Sequence, residues 1–528
     1  MSNARENVNL LASADWDIAT LRLANWGSGA VPPQVVLKTN YVAGDGGGVF
    51  RYDASDTTTA DNGGTVIVDA AGNRWKRQYA GPLNAKWFGA RGDNSTNDTT
   101  ALQNALNAAA NGALFVPAGT YLTDPLSGSA NCEIYGSSAG GCILKHRGAV
   151  VSDASILSFI SKNNTIVHDL TFDWNNVAFT ATPANVGWLA CNNLEIYNCS
   201  VINCGKIGIG VNGCSDIRIH DNYIARTTSS SIGVNEGILL TESGGTVTRA
   251  WIENNYIINH GTLMDGSHLT VRNNIVLNWK YGAGVGMGDN ASNVFNIIEG
   301  NYLSNGYNGL DSDSLSCKGI EFFGTSGRIV NNICWNNGGP GIFLGGKNNV
   351  VDGNICFNNG LYTPEVSAGI SMGYVNATYN ASDNIISNNH CWDTTGASGT
   401  QDYGIGIDSN NSGNIFVGNR LSGNKTGDVY WNGSPVTGTW YGFNASGSTT
   451  NDFGSISNGA SATVVVTVPG ALLGDYVQAS CSLSLAGMSL TGYVSATNAV
   501  TLVLTNNTGS PVDLASATFR AMAIRPLF

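Results

Sequence analysis

Charge is the first thing this sequence is short of. Only 12% of its 528 residues are Asp, Glu, Lys or Arg, about half the ~25% usual in soluble domains. Helices packed in a bundle need a polar outer face, so that class is excluded. No run of eighteen apolar residues occurs, which removes a membrane-spanning helix. Met1 to Asp17 has neither a basic nor an apolar stretch of the kind that starts a signal peptide, so none is expected. Among the 11 cysteines there is no C-x-x-C pair, so a tetrahedral zinc site has no support and free thiols are expected. Basic residues are outnumbered 25 to 37, for a net charge of −12. Such a surface repels phosphate backbones, which makes nucleic acid a poor partner. A locally basic groove on an acidic body still admits acidic sugars.

Glycine is abundant instead, at 68 residues, about 13% against the usual ~7%. With 42% hydrophobic and 9% aromatic residues, there is ample material for a packed core. Many short strands joined by tight turns satisfy all of these constraints, and the length suggests three or four domains.

The segment 1–35 carries no clear pattern. Residues 36–85 read as a small β module, with runs such as Tyr41 to Tyr52 and Gly64 to Asp69 broken by glycine clusters and by the Asp69 to Asn73 turn. Asp98 is expected to cap a short helix whose apolar face is Ala101, Leu102, Ala105 and Leu106. From about Leu157 to Gly433 the chain repeats. Asn preceded by Asn, Asp or Gly and followed by apolar residues recurs at Asn222, Asn255, Asn274, Asn301, Asn332, Asn354, Asn389 and Asn419. Between these lie glycine-led apolar runs at Gly237, Gly319, Gly341, Gly369 and Gly404. Two short strands per ~20–35 residues point to a parallel β-solenoid, with Asn taking left-handed corners and bonding to the coils above and below. Cys334, Cys356 and Cys391 recur two residues after the repeated Asn, as stacked core residues would. After Tyr441, a linker over Ser446 to Asp452 and then a small antiparallel sandwich are expected.

The run Trp87 to Tyr121, with Gly92-Asp93 and Val116-Pro117-Ala118-Gly119-Thr120-Tyr121, resembles the entry to the pectate-lyase-type β-helix superfamily. The module before it, with Tyr41 to Tyr52 and Trp75-Lys76-Arg77, is similar to the neck region of bacteriophage tailspikes. The resemblance spans about residues 36–440. It implies an all-β chain: a right-handed parallel β-helix body over 86–440 after the β module, then a C-terminal antiparallel β-sandwich over 441–528 for trimerisation or carbohydrate binding. It further implies a homotrimeric virion protein, made in the host cytoplasm and attached to phage tail or baseplate proteins through its N-terminus. Such a protein binds and depolymerises capsule or lipopolysaccharide O-antigen at the bacterial surface. It brings no fixed catalytic position, so the site has to be read from the residues.

Glycoside hydrolysis needs two carboxyls, about 5–5.5 Å apart for retention and ~6.5–9.5 Å for inversion. Coils of a β-helix lie ~4.8 Å apart, so acids at equivalent places on neighbouring coils meet that need. Aligning the glycine-led runs puts Glu242, Asp265 and Asp289 in one column, followed by Glu321 pointing outward between Ile320 and Phe322. Asp311 and Asp313 are reserves. Each, taken singly, also fits a solvated turn carboxylate, and it is their clustering in so uncharged a chain that singles them out. Trp279, Tyr281, Tyr307 and Trp335 are candidate sugar-stacking subsites, or equally rungs of inter-coil stacking. His260 and His268 with Arg272 keep β-elimination on uronic acids open, since that reaction needs a base and a cation beside the sugar carboxylate. A non-catalytic sugar-binding fibre is the third possibility. No cofactor and no catalytic metal are expected.

Overall fold

A computed structural model of the chain describes residues 16–26, 30–39, 46–148, 154–177, 184–226, 236–280, 282–306, 317–361, 367–373, 380–421, 423–432, 439–441 and 444–524. It divides into two compact units, Met1–Tyr281 and Gly282–Phe528.

In the first unit a short helix, Ile18–Leu23, is capped by Asp17, whose carboxylate accepts from the Thr20 N–H at 2.7 Å. Its Ile18 and Leu21 are buried with Val35, Leu37, Phe50, Ile67 and Trp75. Those residues come from a four-stranded antiparallel sheet of Gln34–Thr39, Gly46–Tyr52, Arg74–Arg77 and Val66–Val68. The β module thus takes Ile18, Leu21 and Val35, which precede residue 36, into its core.

The N-cap expected of Asp98 does not form. Helix Thr99–Ala108 follows it, but the carboxylate accepts from the Arg91 and Gly92 N–H groups at 2.7 and 3.0 Å. Two loop donors claim it instead, and the turn at Arg91 and Gly92 is pinned as a result.

The rest of the first unit is a parallel β-helix of three sheets, as expected. Its first sheet runs from Leu83–Asn84 to Ser267–Arg272, its second from Asp93–Asn97 to Ile275–Leu277, and its third from Leu126–Ser127 to Gly261–Met264. The second unit carries the same three-sheet course, and its third-sheet strands include Ala283–Met287, Lys318–Phe322, Ile342–Leu344 and Ala368–Met372.

The Asn repeat proves to be two devices side by side. The first residue of each pair turns the corner in the left-handed region: Asp221, Asn254, Asn273, Asn331 and Asn388 have φ of 51 to 56°, and Gly300, Gly353 and Gly418 have 62 to 66°. The second is buried and forms a ladder. Asn354 Oδ1 accepts from the N–H and Nδ2 of Asn332 at 2.9 and 3.0 Å, while its Nδ2 donates to Ile329 O at 2.8 Å and Asn389 Oδ1 at 3.0 Å. One residue type does both jobs because its short amide stabilises a left-handed backbone and also carries two donors and an acceptor.

The glycine and cysteine repeats are also one device. Cys334, Cys356 and Cys391 stack in register and are fully buried. A Cβ on Gly319, Gly341 or Gly369 would lie 2.7 to 3.0 Å from the Cβ of the cysteine it faces. All 11 cysteines are free.

The C-terminal part is a β-sandwich. One sheet is Asn444–Asn451, Ala517–Ile524 and Tyr476–Cys481, and the other is Ser461–Thr467, Ala499–Thr505 and Ser489–Ala496. Phe519, Val466, Leu502 and Leu504 lie at its core. Ser446 to Asp452, read as a linker, is therefore largely strand: Asn444 to Asn451 pair antiparallel with Ile524 to Ala517. Small polar residues serve this edge because it packs tightly, and a Cβ at Gly447 would meet Thr467 O at 2.0 Å.

Candidate functional site

In the first unit, the outer face of the third sheet forms a groove of about 740 Å³. Its floor is the outward row Ser158, Gly187, Gly210, Leu239 and Leu263, in register on successive strands. The two glycines open the space: a Cβ at Gly187 would lie 3.1 Å from Ser155 Oγ, and one at Gly210 3.2 Å from Ala184 Cβ. Along the strands the groove extends from Lys206 and Glu236 to Asn212, Thr241 and Ser243. Asn212 closes that second end, accepting from Gly244 N–H at 2.6 Å and donating to Ser243 Oγ at 2.8 Å.

Glu236 and Lys206 are the charged residues among the lining side chains. Glu236 is buried and lies opposite Ile207 on one neighbouring strand and Gly261 on the other. Burial pushes its carboxyl above the usual glutamate value, with Lys206 pulling the other way. Neither residue stood out in the sequence. The strand was taken to begin at Gly237, which left Glu236 in the preceding loop; the burial of Glu236 to Ile238 shows the strand starting one residue earlier.

Two of the predicted acids flank this groove. Leu240 is paired with Met264, and the Asp265 N–H donates to Leu240 O at 3.0 Å. Asp265 therefore follows the strand one coil from Thr241, beside Glu242. Glu242 accepts from the Val247 N–H at 3.1 Å, holding a turn of the main chain. In the second unit Glu321 points outward between buried Ile320 and Phe322, as expected, and its carboxylate pairs with Lys318, whose Nζ lies 5.0 Å from the centre of the Phe343 ring. Asp289 is exposed three residues beyond Gly286, the partner of Glu321, an offset of about 10 Å along the strand. Asp311, Asp313, Tyr281 and Tyr307 lie outside the described residues.

For Trp279 and Trp335 the packing agrees with the second of the two readings, core or inter-coil stacking. Trp279 is fully buried and presents no face to a sugar. Trp335 is a rung of inter-coil stacking: its ring lies on Phe357 at 5.5 Å, Phe357 lies on Trp392 at 4.7 Å, and its Nε1 donates to the Tyr302 hydroxyl at 2.6 Å. In-register strands set equivalent rings face to face, which covers the surface a sugar would use. The base-and-cation set is also dispersed. His260 is buried just before third-sheet strand Gly261–Met264, whereas His268 is exposed on first-sheet strand Ser267–Arg272. Arg272 is ion-paired to Glu253 at 2.7 Å. Among the described residues no group of three or more His, Cys, Asp and Glu is placed to hold a metal ion, and no helix is long and apolar enough to cross a membrane.

Three family models match the chain. Residues 17–80 match a phage tail protein small four-stranded β-sheet domain, 83–311 a rhamnogalacturonase A/epimerase, pectate lyase-like model, and 236–454 a right-handed β-helix region. The phage tail match thus falls on the N-terminal β module, and the pectate-lyase-like and β-helix matches together fall on the solenoid. Among solved structures, the enzymatically active domain of tailspike protein 2 from bacteriophage CBA120 is similar at 14% identity and a TM-score of 0.55, over 97% of this chain and 82% of that one. The A-module of mannuronan C-5 epimerase AlgE4 from Azotobacter vinelandii is similar at 16% identity and a TM-score of 0.55, over 68% of this chain and 100% of its own. A surface adhesin of Streptococcus pneumoniae, PfbA, is similar at 16% identity and a TM-score of 0.50, over 68% and 93%.

Proposed function

We propose that this chain, a phage tail β-sheet domain set ahead of a pectate-lyase-like β-helix, is a tailspike that binds a bacterial capsule or O-antigen polysaccharide and cleaves it by glycoside hydrolysis. The polysaccharide lies along the third-sheet groove of the first unit. What carries the hydrolytic reading is the position of Glu242 and Asp265 on adjoining coils at one end of that groove.

One coil across and one residue along puts the two backbones about 6 Å apart, which favours the short separation of retaining enzymes. One carboxylate attacks the anomeric carbon while the other, protonated, delivers its proton to the glycosidic oxygen. Water then releases the bound sugar, with the second residue acting as base.

The test is to incubate the purified protein with a panel of bacterial capsules and O-antigens and to assay for new reducing ends. Glu242→Gln and Asp265→Asn are each expected to lower the rate by about 10² or more while leaving the fold intact. If both variants keep full activity, the pair is wrong. A product with the ultraviolet absorbance of an unsaturated uronate would replace hydrolysis with elimination, and absence of cleavage on every glycan would leave a binding fibre.

A further inference from the structure

The far end of the groove asks for a different explanation. Glu236 opens strand Glu236–Thr241 and Glu242 follows its last residue, six positions on, about 20 Å away in extended chain. That is too far to share one glycosidic bond with the Glu242 and Asp265 pair. Yet a carboxyl is buried there beside a half-buried lysine in a chain that has few charges. The Lys206 ammonium makes no hydrogen bond or ion pair among the described residues, and it does no visible structural work.

We propose that this end is a subsite for a carboxylate-bearing sugar of the polysaccharide, in which Lys206 pairs with the sugar carboxylate and Glu236 donates a hydrogen bond to it. The inference rests on the depolymerase reading and adds the chemical class of the substrate. A lone ammonium on a groove wall binds an anion as a point charge. A carboxyl in the same spot would repel that anion if ionised, but burial holds Glu236 in the neutral form to higher pH than an ordinary glutamate. A neutral carboxylic acid is a strong hydrogen-bond donor to a carboxylate. The two groups together therefore recognise an anion, whereas two ionised partners facing each other would merely neutralise one another. The spacing also places the acidic sugar several residues along the polymer from the bond that is cut.

The test uses the bacterial polysaccharide panel, followed by carboxyl reduction of any polymer that is cleaved, so that each sugar carboxylate becomes a primary alcohol. The expected result is that the cleaved polymers carry carboxylates, and that reduction raises KM at least tenfold. Lys206→Met should raise KM for the unreduced polymer by a similar factor. Glu236→Gln, which keeps a neutral donor, should hold far more of the affinity than Glu236→Leu, with circular dichroism reporting that both are folded. Efficient cleavage of neutral or purely phosphate-bearing polymers, or equal KM before and after reduction, overturns the subsite but leaves the depolymerase standing. A loss of kcat without a change in KM in Glu236→Gln also overturns it, by making Glu236 a proton donor at the reacting bond. No cleavage of any polymer removes the depolymerase reading and this inference with it.

Discussion

At the scale of single residues, the buried Asn ladder is where the fold is most exposed to damage. Asn354 is fully buried, and its side chain takes part in four hydrogen bonds to three other residues. Asn354→Ala would leave one N–H of the Asn332 side-chain amide, the Asn332 backbone N–H and the Ile329 carbonyl without their Asn354 partners and away from water. Each buried group left unpaired costs about 1–3 kcal/mol. Denaturant unfolding is expected to show a loss of several kcal/mol, larger than for an exposed corner residue such as Asn331→Ala. The recurrence of Asn was legible in the sequence, but its division of labour was not. The letters Asn-Asn do not say which member turns the corner and which faces the core; only φ and burial separate them. Glu236 was missed for a related reason. A glycine-led run advertises its first glycine, and the acid one position earlier looks like loop until the partner strand at Ile207 is seen beside it.

At the scale of elements, the repeat pattern was enough to foresee parallel strands because each strand carries its own alternation of buried and outward residues. The last strand pair was harder. Ser446 to Asn451 has the composition of a linker, and only its pairing to Ala517–Ile524 makes it an edge. A strand end also supplies a pH effect. His146 closes second-sheet strand Cys142–His146, fully buried with its ring 4.7 Å from that of Trp174. Its Nδ1 accepts from the Gly148 N–H at 3.1 Å, and burial lowers its affinity for a second proton below the ordinary value of 6.5. Above about pH 6.5 folded and unfolded chains are both neutral here, and the contribution to stability is complete. As the pH falls below that value the unfolded chain takes up a proton that the folded chain refuses, so stability drops until the lowered folded value is reached. Urea midpoints measured between pH 7 and 5 should fall less steeply in His146→Asn, which keeps an acceptor near Nδ1, than in the parent. Equal slopes would remove His146 as a cause.

At the scale of the whole molecule, the sequence foretold a β module, a solenoid and a sandwich because each is written in local periodicity. The candidate site was only partly legible. Acids on neighbouring coils are found by counting, but the groove depends on small floor residues and on which side of the sheet each loop leaves open. Assembly is the prediction that belongs here. The sandwich shows solvent a face carrying Val465 and Tyr493, both exposed and both paired to Thr501. Covering such a face is a reason for chains to associate. Light scattering on the purified protein is expected to return three times the chain mass, and a value equal to one chain would refute the homotrimer.

The Asn ladder has a consequence for how such a chain changes over generations. Rungs in contact are separated by 19, 22, 30, 31, 33 or 35 residues, with the same amide geometry at each step. The interior thus fixes what each coil must present and leaves the length of its outer excursions free. Insertions there cost little, because loop closure grows only slowly with length. A lineage facing a host that has altered its coat can redraw the walls of its grooves without renegotiating the interior.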